Sequence, residues 1–369
     1  MKTDKRAVEN PVETVLETKR LYLREMNMAD FPLLSTMLQD IEVMYAWEHA
    51  FSDREVVEWI ERNIARYRRD GCGYWLAFER ETGRGVGQIG LIREAVFGVS
   101  HFGIGWMLAR RYWGRGYATE AAAAAMEYAF DELGAPRVIA DIRPANHSSI
   151  RVAERIGMRV QGSYDKIYNH RTMRHLLYVR RTPRVEVVEY RPGWREQFAE
   201  LEKLLAPLTA RFGGVVEHVG STAVPGLAAK PVIDADYIPA DFSFWPAIRD
   251  ELETLGFYHR GDGGLPGREM FTESLRLPFR HNFYVCHPDS IHLTNHRKLR
   301  DYLRSHPEEA RRYGELKRQL AAQFPADIDG YCAAKSGLLA ELLLAAGVSG
   351  ESVAKIRALN CGGGTAAGK

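Results

Sequence analysis

The sequence predicts an α/β chain with two domains, and three observations carry this prediction. First, a length of 369 residues is long for a single hydrophobic core. Second, an apolar strand pattern at 104–108, a glycine turn at 114–116 and an alanine-rich helix at 121–128 follow one another. Third, a new series of strands and helices starts after Pro183. Strands that alternate with helices in this way are typical of an α/β fold.

The first half contains a mixed series of strands and helices. Alternating apolar residues predict the strands, and apolar residues at helical spacing after a capping side chain predict the helices. The predicted strands cover 20–26, 73–79, 87–93, 102–108, 137–142, 158–164 and 175–180. The predicted helices cover 31–38, the residues after Ser52 or Asp53, those after Gly116, and 146–156.

A charged segment with one proline separates the two halves. Pro183 cannot donate a hydrogen bond to a β-ladder, and the arginines around it avoid burial. The second half restarts with a strand at 185–188, a helix at 194–208 and a strand that ends at Val219. We therefore predict four segments, which are a mobile leader (1–15), a first domain (16–182), a second domain (183–348) and a flexible tail (349–369).

Composition and charge exclude several classes of protein. The net charge of +2 predicts neither a nucleic-acid partner nor a membrane-surface partner. The polar residues 1–14 contain no signal-peptide core, and no apolar run is long enough to cross a bilayer. The cysteines are far apart, which argues against a disulfide framework and a structural zinc site and predicts a reducing cytoplasm; they are Cys72, Cys286, Cys332 and Cys361.

The glycine turn between strand and helix has the features of an anion site. Gly114 and Gly116 lack a Cβ, so the backbone N–H groups of the turn can come close to an anion. The helix that follows adds unpaired N–H donors and the positive end of its dipole. Arg111 and Arg115 would add charge-assisted contacts, or would face solvent as ordinary surface arginines. The turn therefore suits a diphosphate.

The turn Arg111-x-x-Gly114-x-Gly116 resembles the acetyl-CoA signature of the GCN5-related N-acetyltransferases, the GNAT family. The surrounding residues are similar to the RimJ/RimL branch of that family, namely Trp106, 112–116 and 119–121. The likeness continues downstream, with methionine in place of the family's phenylalanine, at Asn146, Ser149, Gly157 and Met158. It spans about residues 16–182 and implies a mixed sheet with flanking helices that binds acetyl-CoA as cosubstrate.

The resemblance assigns roles to individual residues of the first domain. In GNAT proteins the strand before the turn carries a bulge and diverges from its neighbour, and the pantetheine lies in the gap. Met107 and Leu108 would then offer backbone contacts, and a backbone N–H of this strand would face the thioester oxygen. Thr119 lies in the first turn of the helix at the diphosphate, and Asn146 matches a position that contacts the pantetheine arm. An ordinary helix N-cap is the alternative role of Asn146.

Two residues that often transfer protons in the family are replaced in this chain. Gly103 occupies the position of a frequent glutamate, and Ala153 that of a frequent tyrosine. His101 lies two residues before Gly103 on the same strand face, and it is the candidate general base unless it is a structural residue. Ser149 is the candidate acid for the leaving thiolate. A desolvated, well-placed amine that reacts without side-chain help is the third alternative.

The second half carries a separate cluster of glycine, serine and acidic residues. A strand ends in Gly220 and Ser221, and a later strand carries Asp234 and Asp236 on one face. Two carboxylates side by side repel each other unless a cation lies between them, and Mg²⁺ uses such carboxylates together with substrate phosphates. We therefore predict Asp234 and Asp236 as ligands of Mg²⁺. The predicted contacts of a nucleoside triphosphate are Gly220, Ser221 and Lys230.

This cluster resembles the Gly-Ser…Asp-x-Asp signature of the DNA polymerase β-like nucleotidyltransferases, and within that superfamily it is most similar to the GrpB proteins. The likeness covers about residues 184–347 and implies a nucleotidyltransferase-like α/β domain with a helical C-terminal part. The superfamily's third carboxylate is missing from the strand expected at 280–286, which offers His281 but no acid. The matching residues are 218–222, 225–231, 299–304, His306, Pro307, Tyr313, Leu316, Lys317, Tyr331 and Lys335.

Three hypotheses about function follow from these patterns. The first is an acetyl-CoA-dependent N-acetyltransferase, which acts on a protein N-terminus or a small-molecule amine and is fused to a GrpB-type domain of undefined activity. The second is a nucleotide- or CoA-binding regulatory protein without turnover. The third is Mg²⁺-dependent nucleotidyl transfer, with the first domain as an acetyl-CoA sensor. The sequence leaves the acceptor and the oligomeric state open.

Overall fold

A computed structural model describes residues 13–168 and 171–361, and these form two compact units. The first unit holds the described residues up to 95 and those from 100 to 182. The second unit holds residues 96–99 and the described residues from 183 onward. Both units contain a mixed sheet with helices, so the predicted α/β class is confirmed.

In the described structure, a sheet of eight strands forms the centre of the first unit. The strands are β1 (Thr14–Glu17), β2 (Leu21–Arg24), β3 (Tyr74–Glu79), β4 (Gly85–Val96), β5 (Val99–Leu108), β6 (Arg137–Ile142), β7 (Arg159–Tyr168) and β8 (Arg171–Arg181). Their spatial order is β1-β2-β3-β4-β5-β6-β8-β7. β5 and β6 run parallel, so a crossover must connect them. This crossover contains the glycine turn.

The described helices of the first unit are α1 (Phe31–Leu38), α2 (Asp53–Asp70), α3 (Tyr117–Asp131) and α4 (His147–Arg155). Ser52 is the N-cap of α2 and forms a reciprocal capping box with Glu55. Four alanines of α3 are fully buried, and their small side chains let the helix pack closely in the core; they are Ala121, Ala122, Ala125 and Ala129. The alanine-rich crossover helix is therefore part of the first core.

Several strands are longer than the sequence pattern predicts. β4 extends to Val96, and the hairpin of β7 and β8 pairs from Arg159↔Val179 to Tyr168↔Arg171. Charged side chains occupy these extensions, as in the ion pair of Arg174 with Asp165 at 3.3 Å. The prediction followed apolar residues, and charged cross-strand pairs continue a ladder without them.

The second unit is built on a sheet of β9 (Val215–Val219), β10 (Ile233–Ile238), β11 (Arg268–Phe271) and β12 (His281–Cys286), in the order β11-β12-β10-β9. β10 runs parallel to β12 and antiparallel to β9. The helices are α5 (Gly193–Phe212), α6 (Trp245–Thr254), α7 (Ile291–Ser305), α8 (Pro307–Gln323), α9 (Ile328–Ala345) and α10 (Gly350–Cys361). The predicted helical C-terminal part is confirmed.

Three local expectations differ from the structure. The strand predicted at 185–188 is wrong, because only Val188 forms a β-bridge, with Ala229. Val185 instead donates its N–H to the carbonyl of Pro325 at 2.9 Å and packs beside Leu320 and Tyr331. Its apolar side chain therefore covers helices and does not extend a sheet.

The predicted leader and tail also contain regular structure. β1 starts inside the segment 1–15, and residues 1–12 lie outside the described part. α10 occupies much of the segment 349–369, where Val353 is 6% exposed and packs with Leu343 and Val348. Glycine and small residues dominate only from 362 onward, beyond the described residues. Neither 13–168 nor 171–361 contains a helix with the length and apolar character needed to cross a bilayer.

Candidate functional site

The loop between β5 and α3 is shaped by two glycines. Gly114 has φ of 76° and Gly116 has φ of 79°, a left-handed conformation that favours glycine. Trp113 donates its indole N–H to the carbonyl of Leu108 at 2.8 Å, which fixes the loop against the end of β5. α3 begins at Tyr117, and no side chain caps its first turn.

The main-chain N–H groups of residues 114–119 have no hydrogen-bond acceptor within the described part of the chain; the first one that does is Glu120, bonded to Gly116. A Cβ at Gly114 would meet no atom within 4 Å, and one at Gly116 would meet only Nη2 of Arg20, at 3.5 Å. The space in front of these donors is therefore open. Unpaired N–H groups at a helix N-terminus bind anions, and this loop has the chemistry for a diphosphate.

An ion pair that the sequence analysis missed supports this loop. Nε of Arg20 lies 2.6 Å from Glu120, and Nη1 of Arg20 donates to the carbonyl of Arg115 at 2.9 Å. The Thr18 hydroxyl donates to the same carboxylate at 2.7 Å. Burial would raise the pKa of Glu120, but the hydrogen bonds from Thr18 and Arg20 outweigh burial and lower it. Glu120 therefore stays ionised and ties the first turn of α3 to the segment before β2.

The two arginines predicted to assist the loop are exposed and form no ion pair with any residue that the structure describes. The guanidinium groups of Arg111 and Arg115 lie 5.0 and 5.5 Å from the ring centre of Tyr112. Neither forms an ion pair within residues 13–168 and 171–361, whereas the neighbouring Arg110 pairs with Glu42. Both charges therefore remain available to a phosphate group.

β5 and β6 diverge immediately before the loop. They are paired only at Phe102↔Val138 and Gly103↔Ile139, so residues 104–108 have no partner on β6. Met107 and Leu108 lie in this unpaired section of β5. The gap exposes main-chain hydrogen-bonding groups, and it has the form expected for the pantetheine arm.

Asn146 and Ser149 lie at the start of α4. In this position Asn146 can cap the helix and contact the pantetheine arm at the same time. Its Oδ1 accepts the N–H of Ser149 at 3.1 Å and the hydroxyl of Tyr45 at 2.5 Å, so Asn146 is the N-cap. Its side-chain NH₂ donates to no residue in the described structure and remains open to a ligand. The Ser149 hydroxyl accepts the indole N–H of Trp106 at 3.2 Å, which places it beside the unpaired section of β5.

The position of the missing glutamate is filled from the neighbouring strand. A Cβ at Gly103 would lie 2.9 Å from a carboxylate oxygen of Glu94, and one at Gly105 would lie 1.9 Å from the Tyr74 hydroxyl. These side chains occupy the space that larger residues on β5 would need. Glu94, on β4, thus places its carboxylate beside the strand position at which relatives often carry their own.

Glu94 belongs to a half-buried charge cluster. Nζ of Lys166 lies 2.5 Å from Glu94 and 2.6 Å from Asp141, and the Tyr164 hydroxyl donates to Asp141 at 3.1 Å. Burial, followed by the charge of Asp141, raises the pKa of Glu94, and Lys166 opposes that shift. The cluster carries one excess negative charge, which would attract an ammonium group. In the sequence, the glycine at position 103 indicates that another side chain could fill this space, but it does not reveal which residue does so.

His101, the base predicted from the sequence, lies on β5 and is 5% exposed. A proton acceptor must reach the amine within hydrogen-bonding distance, and His101 is buried whereas Glu94 is half-buried. Glu94 is therefore the better placed of the two candidates.

In the second unit the structure brings Gly220, Ser221 and Asp234 together at the ends of β9 and β10. Gly220 has φ of 70°, and a Cβ there would lie 2.3 Å from Oδ2 of Asp234. Asn282, across from Asp234 on β12, donates to its Oδ1 at 2.7 Å. Burial raises the pKa of Asp234. Lys230 lies half-buried before β10.

Asp236 contacts two histidines that the sequence analysis missed. Nδ1 of His296 lies 2.9 Å from one carboxylate oxygen and Nε2 of His292 lies 3.5 Å from the other. Asp236 is fully buried; burial would raise its pKa, but the two histidines outweigh burial and lower it. Their i, i+4 spacing on α7 was the sequence signal, since such residues share a helix face.

The donor set around Asp236 does not fit Mg²⁺. The potential ligand atoms of Asp236, His292 and His296 lie within 4.8 Å of one another, but two of the three are imidazole nitrogens, whereas Mg²⁺ requires oxygen. Nη1 of Arg268 also lies 3.5 Å from Nδ1 of His292 and adds positive charge. The predicted Mg²⁺ site at Asp234 and Asp236 remains a prediction, and no reaction step is derived from it.

The basic residues of α7 have structural partners. Arg297 and Arg300 both bind the carboxylate of Glu217 on β9, with Nη1 of Arg300 at 2.8 Å. Arg304 donates to the carbonyl of Ala223 at 2.8 Å. These bonds fasten α7 to β9 and to the turn after it.

Comparison with known proteins relates each half to a family. The protein-family model described as "Acetyltransferase (GNAT) domain" matches residues 20–159. The model described as "GrpB protein" matches residues 184–344. The two matches do not overlap, in agreement with the two resemblances read from the sequence.

Individual proteins match parts of the chain. The uncharacterized protein YkkB of Bacillus subtilis is 37% identical over 147 residues, which are 40% of this chain and 86% of YkkB. The uncharacterized N-acetyltransferase YnaD of the same organism is 32% identical over 152 residues, 41% of this chain and 86% of YnaD. The crystal structure of conserved protein GrpB from Enterococcus faecalis is 33% identical, with a TM-score of 0.40, and the match covers 46% of this chain and 99% of that one.

Replacing Gly116 with valine is expected to weaken coenzyme A binding about tenfold or more. A side chain at positive φ strains the loop, and it enters the space in front of the unpaired N–H groups. Titration calorimetry of the full chain with coenzyme A measures the effect. Gly83→Val is the matched control, because Gly83 also has positive φ (65°) and open space but lies in the turn between β3 and β4. Equal affinities of the two variants would contradict the assignment.

Proposed function

The chain belongs to the GNAT acetyltransferase family through residues 20–159 and to the GrpB family through residues 184–344, and from this premise we propose an acetyl-CoA-dependent transfer to a primary amine. The acceptor is the N-terminus of a protein or a small-molecule amine. The observation that carries the proposal is the open row of N–H donors at residues 114–119, beside the unpaired section of β5. A screen of amines with acetyl-CoA, read out as release of free thiol, tests it.

The cosubstrate contacts follow from the geometry of the loop and the strand. The diphosphate accepts hydrogen bonds from residues 114–119, a segment that includes Gly114, Gly116 and Thr119. Arg111 and Arg115 add positive charge beside it. The pantetheine arm follows the free edge of β5 at Met107 and Leu108, and the side-chain NH₂ of Asn146 donates to it. The thioester thus lies near the divergence of β5 and β6.

Acetyl transfer needs an unprotonated amine, and Glu94 is the group that accepts its proton. The carboxylate lies beside Gly103, and Lys166 holds its orientation at 2.5 Å. Its raised pKa makes it a stronger base than an ordinary carboxylate. The excess negative charge of Glu94, Asp141 and Lys166 also attracts the incoming ammonium. His101 on β5 is the alternative base.

The remaining steps use the main chain of β5 and the hydroxyl of Ser149. The amine nitrogen attacks the thioester carbon, and a free N–H of β5 stabilises the negative charge that develops on the carbonyl oxygen. The attacking nitrogen loses its surplus proton to solvent as the carbon–sulfur bond breaks, and Ser149 donates a proton to the thiolate and regains one from solvent. Because Ser149 accepts the indole N–H of Trp106, its own hydroxyl hydrogen is available for this donation.

The two other functional hypotheses predict different outcomes of the same measurements. A regulatory protein would bind acetyl-CoA without releasing thiol in the presence of any amine. A nucleotidyltransferase would consume ATP and transfer AMP, and Asp234→Asn would abolish that transfer. Gly220, Ser221 and Lys230 are the residues proposed to contact such a nucleotide.

Glu94→Gln is expected to lower kcat about 100-fold or more, because glutamine keeps the shape of the side chain but cannot accept the proton. Since the base acts in its ionised form and its pKa is raised, the rate of the parent protein should fall as the pH drops through a value above 4.5. This acidic limb should be lost in the variant. Initial rates of thiol release between pH 5 and 9 measure both effects, with roughly half-unit steps.

Two further variants serve as controls for Glu94. Glu61→Gln changes an exposed glutamate on α2 and should leave the rate and the pH profile unaltered. His101→Gln should retain the acidic limb if Glu94 is the base. Loss of that limb in His101→Gln, together with its retention in Glu94→Gln, would show that His101 is the base instead.

Ser149→Ala is expected to lower kcat about tenfold while the affinity for coenzyme A changes little, because water replaces the hydroxyl as proton donor. Ser148→Ala is the matched control, since Ser148 lies one residue earlier on α4 and its hydroxyl contacts Asn146, not Trp106. Steady-state rates and calorimetry separate the two quantities. Identical rates for Ser149→Ala and Ser148→Ala would exclude Ser149 as the acid.

A further inference from the structure

Three lysines of the second unit lie around two tyrosines and have no carboxylate partner within the described part of the chain. They are Lys230 before β10, Lys317 on α8 and Lys335 on α9, which we call the three-lysine cluster. Nζ of Lys230 and Lys335 lie 5.6 and 5.3 Å from the same Tyr331 ring centre, and Nζ of Lys317 lies 4.5 Å from that of Tyr313. Within the described chain, lysine ion pairs are made by Lys166 and Lys355 and not by this cluster.

Lys317 is the most enclosed member of the cluster. It is 3% exposed, and its Nζ has no hydrogen-bond partner in the described structure. Burying an ammonium group without a partner is strongly unfavourable, because the charge loses its hydration and gains no counterion. Burial, and then the charge of Lys335, lower the pKa of Lys317 well below its ordinary value. The side chain therefore does not stabilise the fold as it stands.

Lys230 is a half-buried positive charge that likewise has no counterion among the described residues. Burial and the charge of Lys335 lower the pKa of Lys230 to about 8. The carboxylate that acts on all three lysines is Asp234, but it makes no ion pair with them and is bonded to Asn282. With every lysine protonated, the region holds two positive charges more than Asp234 neutralises. A bound anion would satisfy these donors.

We propose that the three-lysine cluster binds a phosphate group. A phosphate carries more than one negative charge and several acceptor oxygens, so it can neutralise several ammonium groups at once, whereas a carboxylate neutralises one. Lys230 and Lys335 are half-buried and Lys317 lies deeper, so an anion reaches the cluster from the side of the first two. The proposal extends the nucleotide contact already proposed for Lys230 to Lys317 and Lys335. It uses no residue of the loop at 114–119 and does not depend on acetyl transfer.

Calorimetric titration of the full chain with sodium pyrophosphate at constant ionic strength tests the site. The parent protein should show saturable binding. Lys317→Met and Lys335→Gln should each weaken it about tenfold or more, because each removes a charged donor. Lys203→Met is the matched control, since Lys203 is an exposed lysine on α5 outside the cluster, and it should bind as the parent does.

Thermal unfolding separates loss of the site from loss of the fold. Methionine has nearly the length of lysine without its charge, so Lys317→Met should unfold at the same temperature as the parent protein or at a higher one. Pyrophosphate should raise the midpoint of the parent and of Lys203→Met, and should raise that of Lys317→Met much less. A variant that is stable but no longer responds would support a binding role.

The source of the phosphate is resolved by competition. If ATP displaces pyrophosphate and orthophosphate does not, the ligand of the cluster is a nucleotide. If orthophosphate displaces pyrophosphate, the ligand is free phosphate. The proposal is overturned if the parent shows no saturable binding. It is equally overturned if both Lys317→Met and Lys335→Gln bind pyrophosphate as tightly as the parent, because the anion then lies elsewhere, for instance at residues 114–119.

Discussion

The arrangement of the first unit depends on one constraint, which is that the N–H groups of residues 114–119 have no acceptor among the residues that the structure describes. Gly114 and Gly116 make this possible because both adopt positive φ and neither fills the space in front of the donors. The Arg20–Glu120 ion pair holds the first turn of α3, and the buried alanines of α3 pack in the core. α3 therefore both packs in the core and presents the unpaired N–H donors at its N-terminus.

The divergence of β5 from β6 leaves a second set of main-chain groups without partners on the neighbouring strand, at the place where the reaction would occur. A sheet normally pairs its main-chain groups, and here residues 104–108 of β5 are left without partners on β6 at the end that leads into the loop. The loop and the gap are continuous along the chain, so one extended cosubstrate can satisfy both. Glu94, which is paired with Lys166, lies beside Gly103 at the paired end of the same strand, where the acceptor amine would meet the thioester.

The sequence predicts those parts of the site that are local. The spacing of Gly114 and Gly116 before an alanine-rich helix indicates an anion loop without any knowledge of the tertiary structure, and Asn146 is recognisable as a cap. The partners that come from distant segments could not be predicted, because Glu120 meets Arg20 across 100 residues of chain and Lys166 meets Glu94 across 72. In the second unit, Lys317 looks like one more polar residue of an amphipathic helix until its burial is known.

Hydrogen–deuterium exchange of the loop, read by mass spectrometry, tests the central claim most directly. The amides of residues 114–119 have no acceptor in the described structure, so they should exchange rapidly in the free protein. Saturating coenzyme A should slow exchange in the peptide that spans them, because the diphosphate then accepts their hydrogen bonds. Unchanged exchange in that peptide, at a concentration where calorimetry shows coenzyme A bound, would contradict the account.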